Sequence, residues 1–235
     1  FGSRWKIVDC GDVDMVHGDL ATCHGNIRDT VWTIANSGAL PVAMGGDHSV
    51  TIPLLEGLKD KGPFGIIQID AHLDFVDHRH GQKLGQGSPM RRAAEMDHVT
   101  AMAQLGVRGS GSSSYEDFQD ARAYGSVILS VNEIRHMGID AALAAIPECQ
   151  RYYVTFDIDG MDACLAPGTG TPSQGGFHYP EMNRLLEGIA KLGDIVGFDL
   201  VEVAPDYDHS GITVQLAAQL MQNFIGFILK EREIQ

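Results

Sequence analysis

Aspartate and histidine gather at the ends of apolar runs in this chain. Residues 151–162 open as a β-branched and aromatic run, the composition of a buried strand, and end in Asp157-Ile158-Asp159-Gly160-Met161-Asp162. Alternation along a strand places Asp157 and Asp159 on one side. Two adjacent carboxylates repel each other and resist desolvation, and a cation offsets both costs. Two more segments end the same way. The run 64–69 leads into Asp70-Ala71-His72-Leu73-Asp74, and the run 39–44 leads into Gly45-Gly46-Asp47-His48-Ser49.

Asp70, Asp74, Asp157 and Asp159 bring four negative charges, while His48 and His72 bind metals as neutral rings. Two divalent ions balance that set. A ligand set rich in oxygen with two imidazoles suits Mn²⁺, with Fe²⁺, Co²⁺, Ni²⁺ or Zn²⁺ open. No thiolate takes part, which argues against a structural zinc site. A metal pair supplies a hydroxide at neutral pH and polarises the group it attacks, so the expected chemistry is metal-assisted hydrolysis. Asp47 reads as an orienter of the neighbouring ligand rather than a ligand itself. The loop 9–14, with three Asp and a Gly, reads as a solvated turn.

The elements that must position these residues alternate between strand and helix. Strands are expected at 5–8, 39–44, 64–69, 102–107, 127–130, 151–157 and 195–201. Helices are expected at 19–37, 49–59, from Ser88-Pro89, 115–123, 138–146, 181–192 and 211–229. Ser88 reads as an N-cap and Pro89 as the first helical residue. Such alternation implies an α/β fold with a mainly parallel sheet in a single domain over 1–235. Ligands of such sheets sit outside the carboxyl ends of the strands, where all three clusters fall. Glu202 ends the last strand and is a candidate substrate ligand. The polar loop 75–87, with His78 and His80, follows a ligand cluster and is a natural place for substrate contacts.

The 235 residues suffice for one α/β domain, and 44% hydrophobic with 20% charged residues is ordinary for a globular chain. The net charge of −14 disfavours nucleic acid and anionic membrane as partners and favours cations. Cys10, Cys23, Cys149 and Cys164 form no Cys-x-x-Cys pair and suit a reducing, cytoplasmic setting. The apolar stretch 211–229 contains Gln215, Gln219, Gln222 and Asn223 and reads as a buried amphipathic helix, not a membrane span.

The motifs Gly45-Gly46-Asp47-His48, Asp70-Ala71-His72-Leu73-Asp74 and Asp157-Ile158-Asp159-Gly160-Met161-Asp162, with Pro167-Gly168-Thr169-Gly170-Thr171-Pro172, resemble the three signatures of the ureohydrolases, the arginase/agmatinase family. The resemblance runs over essentially the whole chain. Asp-Gly-Met-Asp and Tyr207-Asp208-His209-Ser210-Gly211-Ile212-Thr213 are nearest to the agmatinase branch. It implies a three-layer α/β/α fold, a binuclear Mn²⁺ centre, and hydrolysis of a guanidino compound, agmatine first among them, to urea and an amine. It implies His48 and Asp74 on one manganese, His72 and Asp159 on the other, and Asp70 and Asp157 bridging. Asp74 would also relay the proton of the attacking hydroxide to the leaving amine. Glu202 would hold the guanidinium, with Asp162 and Gln86 as further substrate contacts. A homotrimer or homohexamer is implied as well.

Two departures stand out. Gln86 occupies a position where the family commonly has His, and Gln cannot titrate. The family also has a further N-terminal segment with the first strand, so the sequence is expected to begin inside it. Three other readings follow. One is another guanidino substrate (guanidinobutyrate, guanidinopropionate or guanidine). Another is a catalytically weakened homologue serving as a binding or regulatory subunit. The last is a deacetylase-like amide hydrolase with one zinc per chain.

Overall fold

The computed structural model describes residues 5–234. Six strands form one all-parallel sheet: β1 (Val42–Met44), β2 (Phe64–Ile69), β3 (Val99–Leu105), β4 (Val127–Leu129), β5 (Arg151–Asp157) and β6 (Asp194–Val201). Their spatial order is β1-β6-β5-β2-β3-β4. Residue alternation sorts each strand between two cores. Ile67, Ile69, Leu105, Val154 and Phe156 point to one face, and Phe64, Ile66, Met102, Tyr153 and Val196 to the other. Both faces are covered, so the central strands read as continuous apolar runs.

On the first face lie α5 (Val131–Met137), α6 (Ile139–Ala144), α7 (Tyr179–Ile189) and α8 (Ile212–Ile234). On the second lie α1 (Leu20–Asn36), α2 (Thr51–Gly57), α3 (Pro89–Ala94) and α4 (Tyr115–Tyr124). The architecture is the expected three-layer α/β/α. In α1 the buried positions Ile27, Val31 and Ala35 recur at helical spacing. In α8, Ala217, Leu220, Phe224 and Ile228 form the stripe packed on the sheet. By length and composition alone α8 would pass for a membrane span, yet this stripe anchors it in the core and its glutamines lie on the outer side.

Several expectations are corrected. Residues 5–8 form no strand: Ile7 and Val8 are exposed and find no sheet partner among the described residues. A strand without a neighbour leaves its backbone hydrogen bonds unmade. Helix α5 was not expected; Ser130 and Glu133 start it with a reciprocal capping box. Strand β3 begins at Val99 rather than residue 102 and ends before Gly106. Pro89 does open α3, but the Ser88 side chain makes no cap bond. The carbonyl of Asp74 instead accepts the N–H groups of Met90 (3.1 Å) and Arg91 (3.4 Å).

Candidate metal centre

All three ligand clusters sit at the carboxyl end of the sheet. β1 ends at Met44, and the chain turns through Gly45-Gly46 into a single 3₁₀ turn that starts at His48. Asp47 caps this turn, accepting hydrogen bonds from the Ser49 N–H (2.9 Å) and hydroxyl. It holds the loop that delivers His48, as an orienter would. β2 leads straight into Asp70, and β5 ends at Asp157. Asp159 lies beyond the strand, in a 3₁₀ turn over Ile158–Gly160, so turn geometry brings it in rather than strand alternation.

The side chains form two overlapping groups. His48, Asp70 and Asp74 place one ligand atom each within 4.8 Å of one another, and so do Asp70, His72 and Asp159. Asp70 belongs to both, through different oxygens: its Oδ2 lies 3.1 Å from His48 Nδ1 and its Oδ1 lies 3.5 Å from His72 Nδ1. His48 Nδ1 also approaches Asp74 Oδ2 (2.9 Å) and Asp157 Oδ2 (3.4 Å). His72 Nδ1 lies 2.9 Å from Asp159 Oδ2. A carboxylate shared between two imidazole–carboxylate groups is the layout of a paired metal site.

Electrostatics give the same answer. Burial pushes the carboxyl of Asp157 well above its ordinary pKa, helped by Asp159 and Asp70. Burial and the Asp70 charge raise Asp74 to about 7, and burial with Asp70 also raises Asp159. Asp70 is buried too, but the two flanking imidazoles draw it below the carboxylate range. Burial opposes charge on His72, yet Asp159 and Asp70 hold its proton up to about 11. Without metal, protons supply the positive charge that the carboxylates require. His48 Nδ1 is buried amid these oxygens without an aligned hydrogen bond. A metal ion satisfies that atom, so the residues present fit a pair of divalent ions.

Behind the candidate ligands lie polar side chains outside the expected site. Gln68 Nε2 donates to Asp70 Oδ2 (2.7 Å), and Gln104 Nε2 donates to Gln68 Oε1 (2.6 Å). Ser126 closes this relay on Gln104 Oε1 (2.9 Å). Arg108 makes no carboxylate pair among the described residues; its guanidinium donates to the carbonyls of Asp159 (2.8 Å), Met161 (3.1 Å), Ser173 (2.8 Å) and Gln174 (3.0 Å). It thereby ties the Asp159 turn to the loop 163–176. Thr171 donates to Asp159 Oδ2 (3.1 Å). The available signal was a polar residue inside an otherwise buried strand run, as with Gln68 and Gln104.

Glu202 follows β6. Its Oε1 accepts the His48 N–H (2.8 Å), and its own N–H donates to Gly46 O (2.9 Å). Burial raises its pKa. Both Glu202 (φ 63°) and Asp74 (φ 51°) occupy the left-handed region, uncommon for residues other than glycine. Such strain clusters where a side chain must be aimed. Asp162 spends its carboxylate on the backbone N–H groups of Cys164 (3.0 Å), Gly175 (2.7 Å) and Gly176 (3.0 Å). Gln86 is exposed in the loop 75–87. Arg92 pins this loop through Asp77 Oδ1 (2.8 Å) and Asp77 O (3.1 Å).

A covered parallel sheet with two His/Asp groups at its carboxyl edge defines an α/β protein whose site is consistent with a paired metal centre. Residues 1–226 match the model described as Arginase family, and the chain belongs to the arginase family. It is 36% identical over 226 residues to guanidinobutyrase of Pseudomonas aeruginosa, covering 94% of this chain and 70% of that protein. It is 35% identical over 221 residues to mitochondrial agmatinase of Gallus gallus, covering 92% and 64%. The solved structure of proclavaminate amidino hydrolase from Streptomyces clavuligerus superposes with a TM-score of 0.84 at 30% identity, covering 94% of this chain and 75% of that one. The chain thus spans about two thirds of the length of these curated relatives.

Proposed function

We propose that this ureohydrolase hydrolyses agmatine to urea and a diamine at a binuclear Mn²⁺ centre. The observation that carries the reading is the pair of His/Asp groups sharing Asp70, with Glu202 bonded to the backbone of one of their histidines. His48 and Asp74 would hold one ion, His72 and Asp159 the other, with Asp70 and Asp157 shared. Bound, the two ions supply Lewis acidity and a nucleophilic hydroxide at neutral pH. Glu202 Oε1 is committed to the His48 N–H, which leaves Oε2 to accept from a guanidinium. The charge on that oxygen fixes the guanidino carbon beside the carboxylate cluster. Asp74 takes the proton given up in the attack and returns it to the leaving amine nitrogen. Thr171 keeps Asp159 oriented, and Asp162 shapes the loop 163–176 from behind. Gln86, exposed in the loop 75–87, would contact the substrate's tail.

A second reading has a specific observation in its favour. The loop 75–87 carries two cations, Arg79 and Lys83, against one acid, Asp77, and this excess suits the carboxylate of a guanidino acid such as guanidinobutyrate or guanidinopropionate. Relatives named for such acids stand at similar identity to those named agmatinase. A homotrimer or homohexamer in the cytoplasm completes the proposal, supported by the family and by four unpaired cysteines. The test is urea release by Mn²⁺-loaded protein from agmatine, arginine, guanidinobutyrate, guanidinopropionate and guanidine. Agmatine is expected to lead. A guanidino acid in front would replace the first reading by the second, and no urea from any, with two metals bound, would defeat both.

A further inference from the structure

His48 faces the carboxylates with Nδ1 and turns Nε2 into the protein. Nε2 lies 2.9 Å from Thr155 Oγ1 on β5. Thr155 Oγ1 in turn lies 2.7 Å from Asp199 Oδ1 on β6. The other oxygen of Asp199 receives Thr51 Oγ1 (3.0 Å) and Tyr153 OH (2.6 Å). His48, Thr51, Tyr153, Thr155 and Asp199 are all buried. Asp199 is a carboxylate inside a strand, and no cation among the described residues is bonded to it.

Hydrogens can be counted through this cluster. A hydroxyl has one hydrogen, and an ionised carboxylate only accepts. Thr51, Tyr153 and Thr155 each give theirs to Asp199. Thr155 then offers Nε2 of His48 a lone pair and nothing else. The ring must carry a hydrogen on Nε2, so in its neutral, metal-binding form Nδ1 is the lone pair. Nδ1 is the same atom that lies buried among the ligand carboxylates without an aligned hydrogen bond.

We propose that Asp199 is a positioning residue: acting through Thr155, it fixes the tautomer and orientation of His48 so that Nδ1 is presented to the metal. This rests on the metal-centre reading above. His72 has no part in the relay, so the effect is confined to one of the two metals. In Asp199→Asn the amide can donate to Thr155, which frees the Thr155 hydrogen to turn to Nε2. The ring hydrogen then moves to Nδ1 and obstructs the metal. Thr155→Val removes the acceptor for Nε2–H altogether, whereas Thr155→Ser keeps it.

The experiment is a Co²⁺ titration of the metal-stripped full chain, followed by visible absorption and by elemental analysis of bound metal. Wild type and Thr155→Ser are expected to bind two equivalents. Asp199→Asn and Thr155→Val are expected to retain one site and to bind the other ~10- to 100-fold more weakly, the usual effect of losing a partner behind a ligand. In ¹⁵N-histidine-labelled, Zn²⁺-loaded wild type, the His48 ring hydrogen is expected on Nε2. Wild-type affinity at both sites in Asp199→Asn and Thr155→Val would overturn the proposal. So would equal weakening of both sites with a lower melting temperature of the metal-free chain, since that marks a packing role. Should Asp199→Asn fail to fold, the contrast between Thr155→Val and Thr155→Ser decides. Fewer than two equivalents in wild type would instead sink the metal-centre reading itself.

Discussion

Gly109 offers a perturbation whose size can be read from distances. A Cβ added there would lie 2.5 Å from Cδ2 and 2.8 Å from Nε2 of His72, and 3.1 Å from Ala71 O. Carbon atoms settle at ~3.5–4.0 Å, so the overlap is about 1 Å. The backbone cannot yield easily, because the N–H groups of Arg108 (2.8 Å) and Gly109 (2.7 Å) both bind Ala71 O. The imidazole must therefore move by about 1 Å against Asp159 and Asp70. Metal sites tolerate only about 0.2 Å in ligand distance. Gly109→Ala is expected to weaken one of the two metals by ~10- to 100-fold, or about 1.4–2.7 kcal/mol. Turnover should fall about 100-fold, as for other misplacements of this size. The assay is metal titration of stripped protein beside its melting temperature. Gly46→Ala is the control: it also neighbours a ligand histidine, but its Cβ meets nothing within 4 Å. Two metals bound at wild-type affinity by Gly109→Ala would refute the reasoning.

Other outcomes follow from the same geometry. Glu202→Gln keeps an acceptor for the His48 N–H but loses the charge, so metal content should stay at two while kcat/KM drops by ~30-fold or more; unchanged turnover would remove Glu202 from the substrate site. Arg108→Met leaves the buried carbonyls of Asp159, Met161 and Ser173 without their donor and should cost about 3 kcal/mol or more in denaturant unfolding. Proton and metal compete for His72 Nδ1, whose pKa is about 11 in the metal-free chain. Metal affinity should therefore rise with pH, and binding at pH 7 should release protons, measurable by calorimetry in buffers of different ionisation enthalpy. For metal-free protein the sign reverses. A raised histidine pKa stabilises below the unfolded value of about 6.5, and that contribution is lost as pH rises towards 11. Proton-independent binding would contradict both statements.

The ligand set was legible because its residues break the pattern of apolar strands at their ends, as Asp70 and Asp157 do. The parallel sheet was legible for a related reason: runs such as 64–69 and 195–201 carry apolar residues on both faces, with a single polar residue each. The supports behind the ligands were harder to read. Gln68, Gln104 and Asp199 are single polar residues within strands, and only the sheet order shows that Gln68 and Gln104 are neighbours in register. Arg108 gave no sign because its partners are backbone carbonyls, which carry no sequence signature. Asp162, in the Asp-Gly-Met-Asp motif, accepts three local backbone N–H groups, which the motif alone does not reveal. The segment 5–8 has strand composition, but composition cannot supply the neighbour that a strand requires.

Strand β1 has a consequence for how the site breathes. It is three residues long, and among the described residues its only sheet neighbour is β6. Val42 and Met44 are exposed, so little burial reinforces the ladder. Such an edge opens at lower free energy than the central strands, and its amides exchange first. The loop that presents His48 hangs directly from it. Anything that binds the closed arrangement and not the frayed one draws that equilibrium shut. A metal on the His48 side therefore acts as a clasp on the sheet's weakest edge, and amide protection along 42–48 becomes a measure of its occupancy.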